Sequence, residues 1–221
     1  MKHPGSELGN LSSKFFAYVQ LKGKDIIRTG ELAPVLSISE SKERSLLHRL
    51  SNSGWIVRLK RGVYLIPPRI PAGGKYSPGV ALILHKLMEE QDGKYQICGP
   101  TAFNFYGFDD QISNVTYAYN NRISGNRTIG NLEFQFIKTV DTRLGAVNSF
   151  QDRNGGEIIY SSKARTLMDA VYKYNDFNLS LPRVRCKVRL SEGFAEKLLK
   201  IDKGKCVLKM INALNNRNNV K

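Results

Sequence analysis

Residues 37–64 read SISESKERSLLHRLSNSGWIVRLKRGVY, and the fold turns on this stretch. Its first half predicts a helix. Ser37 with Glu40 three residues on fits a capping box, and Ser39 is an alternative cap. Leu46, Leu47 and Leu50 fall on one helical face, and Gly54 offers a stop. At about 100° per residue the opposite face carries Ser41, Ser45, His48 and Asn52. Arg44 flanks that stripe on one side, Lys42 and Arg49 on the other.

The second half predicts a tight hairpin. Trp55, Val57 and Leu59 alternate with Ile56, Arg58 and Lys60, Arg61-Gly62 supplies a turn, and Val63 to Ile66 returns. A polar helix followed by a hairpin with a basic tip is the layout of a winged helix. The helix would enter a DNA major groove while the hairpin reaches the neighbouring backbone. The candidate DNA-binding residues are therefore Ser41, Lys42, Arg44, Ser45, His48 and Arg49 on the helix, with Arg58, Lys60 and Arg61 on the wing. A lone helical histidine such as His48 is as often a surface or packing residue. Three short helices with a hairpin also serve as protein-binding modules, so both readings stay open.

Before this stretch, residues 11–22 predict a helix with Phe15, Phe16 and Val19 on one face, closed by Lys22-Gly23-Lys24. Thr29 is expected to cap a short second helix through Leu36, with Leu32, Val35 and Leu36 turned inward. Pro34 is tolerable there only near the first turn. After it, Pro67 to Gly74 is rich in proline and glycine and reads as a surface connection. The expected domains are thus 1–68, a winged-helix DNA-binding domain; 69–76, a linker; and 77–221, a C-terminal α/β domain with a basic helical tail.

In that last domain Ser77-Pro78 starts a mostly buried helix, Val80 to Met88. Tyr95 to Cys98 predicts a strand, followed by Gly99-Pro100 and a short helix through Tyr106. Val115 to Tyr119, Arg127 to Ile129, Glu133 to Val140 and Glu157 to Tyr160 look extended. Ser161-Ser162 caps a helix whose Ala164, Leu167, Met168 and Val171 keep the spacing of a packed face, leaving Lys163, Arg165 and Lys173 to solvent. Beyond Leu181-Pro182, Arg183, Arg185, Lys187 and Arg189 alternate, and two helices are expected near 192–200 and 203–215. The fold class is α+β: an N-terminal winged helix-turn-helix followed by a mixed α/β domain of short strands and helices.

Composition is that of a soluble globular chain, 41% hydrophobic and 24% charged. No apolar run is long enough to span a bilayer, and the start lacks the apolar core of a signal peptide. Cys98, Cys186 and Cys206 are odd in number and far apart, which suits free thiols in a reducing cytoplasm. The formal charge is +15. Residues 1–68 hold 11 Lys/Arg against 5 Asp/Glu, residues 69–176 hold 12 against 11, and residues 177–221 hold 11 against 3. Basic ends around a balanced middle point to a polyanion, and nothing resembles an amphipathic membrane anchor, so nucleic acid leads.

Several stretches carry a resemblance. Tyr95 to Phe103, Tyr117 to Gly125, Arg143-Leu144-Gly145, Tyr160 to Val171, and Phe177-Asn178 with Leu181-Pro182 resemble the AbiEi family of antitoxins and regulators. Gly54-Trp55-Ile56 and Arg61-Gly62-Val63-Tyr64 are similar to its N-terminal winged helix. The resemblance covers roughly residues 11–190. It implies a bacterial cytoplasmic protein encoded beside a nucleotidyltransferase-like toxin. The N-terminal domain would repress the shared promoter at inverted repeats in double-stranded DNA. The C-terminal domain would counteract the toxin without a stable complex, the type IV arrangement of phage defence. Arg122, Arg127, Arg143, Lys163 and Arg165 are candidates for an antitoxin surface, with ordinary surface charge the alternative.

Enzyme chemistry finds little footing. The Asp/Glu-x-Lys triplets that a metal-dependent nuclease would use are Glu40-Ser41-Lys42, on the proposed reading helix, and Asp92-Gly93-Lys94, in an expected turn. Walker-type glycine loops and zinc-ligand spacings are absent from the sequence, and Cys98 reads as a buried thiol rather than a nucleophile. No catalysis, cofactor or metal is expected. A stand-alone regulator or a protein-interaction module is the alternative function.

Overall fold

The computed structural model describes residues 9–70, 74–108, 112–152, 156–172 and 212. Lys173, the alternating basic stretch at 183–189, Cys186, Cys206 and the expected final helices, Asn212 apart, lie outside the described residues. The chain divides into two compact units, residues up to Glu90 with Thr128–Asn131, and the remainder.

The first unit opens with α1 (Asn10–Leu21), β1 (Ile26–Arg28), α2 (Leu32–Leu36) and α3 (Glu40–Asn52). It continues with β2 (Val57–Lys60), β3 (Val63–Leu65) and α4 (Val80–Glu89). Its core is built as the apolar spacing requires. Phe15, Phe16 and Val19 of α1 meet Leu46, Leu47 and Leu50 of α3, together with Ile27, Leu32, Ile56, Tyr64 and Ile66. Phe15 and Phe16 make an edge-on pair at 4.9 Å, and Trp55 packs on Phe16 at 6.0 Å. The three strands form an antiparallel sheet in the order β1-β3-β2, with a bulge between Arg58 and Lys60. Three helices against this small sheet are compatible with a winged helix-turn-helix.

Several local expectations change. Thr29 does not cap the second helix; it follows β1, a strand too short for periodicity to reveal, and α2 begins at Leu32. Val35 is 47% exposed, and Ala33 faces inward in its place. Ser37 does not open α3. It closes α2 in a left-handed conformation, φ 51°, and Ser39 is the cap, its Oγ accepting from the Lys42 N–H at 3.3 Å. Nor do the two units divide in the segment 69–76. Lys86 of α4 pairs with Asp25 at 2.6 Å, and Glu90, just past α4, pairs with Arg28 and Lys60, so this helix belongs with the N-terminal unit.

The second unit holds β4 (Tyr95–Ile97), α5 (Gly99–Phe105), β5 (Val115–Asn120), β6 (Gly125–Ile129) and β7 (Leu132–Lys138), though Thr128 and Ile129 group with the first unit. A short 3-10 turn at Asp141–Arg143, β8 (Val147–Gln151), β9 (Glu157–Ser161) and α6 (Lys163–Tyr172) follow. The strands make one mixed sheet in the order β6-β7-β5-β4-β9-β8. β4 runs antiparallel to β5 and parallel to β9, and β5 runs parallel to β7. The sequence reading missed β8, whose residues are largely exposed and carry no apolar alternation.

Buried polar side chains stitch this sheet. The Gln96 amide donates to Ser161 Oγ at 2.8 Å and accepts from the Gly145 N–H at 2.8 Å, joining two strands and a loop. Thr101 Oγ1 donates to the Val115 carbonyl and accepts from the Tyr117 N–H, pinning α5 to β5. Each pairing satisfies groups that burial would otherwise penalise.

Candidate nucleic-acid interface

The site is built on α3, and both ends of that helix are firmly set. At its start Ser39 supplies the cap. At its end the Trp55 N–H bonds the Leu50 carbonyl at 2.9 Å and the Gly54 N–H bonds the Ser51 carbonyl at 3.1 Å, a Schellman closure. Gly54 has φ +80°, which favours a residue without Cβ there.

Between these ends Glu43, Leu46, Leu47 and Leu50 are buried. Ser41, Lys42, Arg44, Ser45, His48 and Arg49 are all exposed. Arg44 lies 3.6 Å from the Glu40 carboxylate, an exposed pair one turn apart. Arg49 donates to Ser12 Oγ of α1 at 3.2 Å, which orients its guanidinium along the helix junction. His48 and Asn52 sit within hydrogen-bond reach, 3.4 Å at the nearest ring nitrogen. The helix therefore offers hydroxyl, imidazole, ammonium and guanidinium groups, the types that read base edges and hold phosphates.

The hairpin divides its cations. Arg58 and Arg61 are exposed, and Gly62 at φ +75° makes the turn between the strands. Lys60 is different. Its ammonium donates to the Glu90 carbonyl at 2.6 Å and lies 3.7 Å from the Glu90 carboxylate, at the C-terminal end of α4. Arg28 of β1 pairs with the same carboxylate.

Sequence reasoning missed Glu43. This fully buried carboxylate accepts from the backbone N–H groups of Gly30 at 2.8 Å, Leu32 at 3.2 Å and Ala33 at 3.1 Å. It caps α2 from the neighbouring helix, where Glu31 at the N-cap position provides no side-chain bond. A signal was present: Glu43 stands at i−3, i−4 and i−7 from Leu46, Leu47 and Leu50, a carboxylate on the apolar face.

In the second unit the five basic candidates have unlike surroundings. Arg122 Nε donates to the Asp92 carbonyl at 2.9 Å and its guanidinium pairs with the Asp92 carboxylate at 3.4 Å. Arg127 is exposed on β6. Arg143 is exposed, and its carbonyl accepts from Arg165 at 3.3 Å. Lys163 and Arg165, expected in solvent, are half-buried. The Lys163 ammonium lies 5.8 Å from the Tyr106 ring centre. Arg165 donates to Asp169 at 2.9 Å and stands 5.7 Å from the Tyr119 ring centre. Burial first, and then the Asp169 charge, pushes the Tyr119 phenol well above its ordinary range.

Fold and surface together define an α+β protein whose N-terminal unit presents a polar, cation-bearing helix beside a small antiparallel sheet. Residues 17–67 match the family described as transcriptional regulator, AbiEi antitoxin. The matched span runs from within α1 to just past β3. No curated protein matches the chain. Among the described residues no helix is long and apolar enough to cross a membrane.

Proposed function

We propose that this protein is a DNA-binding antitoxin. Its N-terminal unit acts as a winged helix that represses the promoter of its own toxin–antitoxin pair. Its second unit counteracts a nucleotidyltransferase-like toxin without a stable complex, in the bacterial cytoplasm. The observation that carries the DNA-binding half is the outward face of α3, where six polar or cationic side chains are exposed while its apolar residues are buried. Ser41, Ser45 and His48 reach groove edges, and Lys42, Arg44, Arg49, Arg58 and Arg61 hold phosphates. The family match to residues 17–67 and the resemblance in residues 95–182 support the antitoxin half. No catalytic step is assigned to any residue.

The test is a mobility shift of duplex from the gene's own upstream region against scrambled duplex at matched salt. Preference for the upstream region is expected, and equal binding to both would sink the repressor reading. For the antitoxin half, growth is measured with the toxin co-expressed. Arg127→Glu and Arg143→Glu are the variants of choice, because Arg165 holds a buried carboxylate and its reversal would disturb folding. Loss of rescue with a folded variant is expected, and full rescue by both would remove this surface from the account.

A further inference from the structure

Resting on the reading of α3 as the DNA-contacting helix, we infer that Glu43 is its positioning residue. The carboxylate touches no DNA; it sets the angle at which the six outward side chains are presented. Glu43 lies between Lys42 and Arg44 in sequence, yet points the opposite way, fully buried. One oxygen accepts from Gly30 and Leu32, the other from Ala33. Three donors in two directions fix the α2–α3 pair both in rotation and in separation.

The far end of α2 is held as well. Ala33, whose N–H goes to Glu43, accepts at its carbonyl from the Ser37 N–H and from the Ile38 N–H at 3.1 Å. The short helix is thus clamped between a carboxylate from the reading helix and the turn that leads into that helix. An apolar side chain at 43 could fill the same volume, but it would leave the buried Leu32 and Ala33 donors without this acceptor and α2 free to shift. A carboxylate is needed because its two oxygens accept from all three donors, and because an anion suits a helix start.

Phosphate contacts and base contacts depend differently on such a clamp. Long lysine and arginine side chains follow a small rotation of α3, whereas groove-edge hydrogen bonds do not. Loss of the clamp should therefore lower sequence preference more than it lowers overall attraction to DNA.

The full chain carrying Glu43→Gln, which keeps one acceptor oxygen, and Glu43→Met, which keeps only the bulk, tests this. Amide hydrogen exchange is followed at residues 30, 32 and 33, with duplex binding measured in parallel. Exchange there should quicken about tenfold or more, from the loss of a charge-assisted hydrogen bond. The ratio of affinity for the upstream duplex over scrambled duplex should fall roughly tenfold, with the salt slope on scrambled duplex unchanged. Unchanged exchange in a folded variant, or faster exchange with an intact ratio, overturns the inference. If Glu43→Gln does not fold, Glu43→Met decides by the same readouts. If the unsubstituted protein shows no preference at all, the DNA reading itself fails. The exchange data then decide only whether Glu43 holds α2.

Discussion

The Lys60 ammonium donates to the carbonyl oxygen of Glu90 at 2.6 Å, so the hairpin's lysine is bound to the end of α4 and not left to solvent. Glu90 in turn holds Arg28 of β1, and Lys86 holds Asp25 just before it. The hydrogen bond it donates to the Asp25 carboxylate raises the Lys86 ammonium above its ordinary range. Through these contacts α4 is fastened to the three-stranded sheet.

From this follows a ranking of the wing cations. Arg58→Ala and Arg61→Ala should each flatten the log–log salt dependence of duplex binding by about 0.9. Lys60→Ala should change it by much less, and should instead lower stability by about 1 kcal/mol, since Glu90 loses a partner. Salt titrations of the three variants, with thermal melts beside them, check the order.

Ser37 adopts φ 51°, ψ 50° at the end of α2, a conformation that costs an L-residue with a side chain. Ser37→Gly removes that cost, partly offset by the greater freedom of glycine in the unfolded chain. Stability should rise by about 0.5–1 kcal/mol, read as a higher denaturation midpoint. An unchanged or lower midpoint would mean that the serine hydroxyl contributes more than its backbone strain takes away.

Arg165 and Asp169 form a half-buried pair one turn apart on α6, with Asp169 only 5% exposed. Arg165→Met leaves that carboxylate without its cation, at a cost of about 2–3 kcal/mol after allowance for the partial exposure of Arg165. Adding Asp169→Asn should recover part of the loss. Chemical denaturation of single and double variants measures the coupling, and additive losses would contradict it.

Several phenols are held neutral by burial. Tyr76 and Tyr160 are both pushed up to about 12, and Tyr95 and Tyr119 are raised as well. A raised folded pKa favours the protonated form, so the stability it contributes is complete below the unfolded value of about 10. It is lost as the pH climbs from there through about 12. Melting temperature should hold to about pH 9 and fall above about pH 10, and Tyr160→Phe should soften the fall.

Much of the fold was legible where burial imposes a period. Phe15, Phe16 and Val19 announced α1, and Leu46, Leu47 and Leu50 announced α3 with its exposed face opposite. Arg61-Gly62 marked the hairpin turn, and Ser162 does cap α6, its Oγ accepting from the Arg165 N–H at 3.3 Å. What escaped depends on partners remote in sequence. β1 spans three residues and exists because β3 lies beside it, with Ile27 opposite Tyr64. Lys60 looks like Arg61 in sequence, and only the nearness of Glu90, thirty residues on, separates the anchored cation from the exposed one. Glu43 escaped because its donors are backbone groups, and composition carries no record of those.

The most direct test of the α3 and wing surface is the salt dependence of its binding to duplex from the gene's upstream region. Five exposed cations, Lys42, Arg44, Arg49, Arg58 and Arg61, are available to phosphates. If all five engage, log affinity against log salt should fall with a slope of about −4.5. Binding with a slope of about −4 to −5, lost stepwise as these residues are replaced by alanine, is the predicted result. A slope shallower than about −2, or one that the five substitutions leave unchanged, would contradict it.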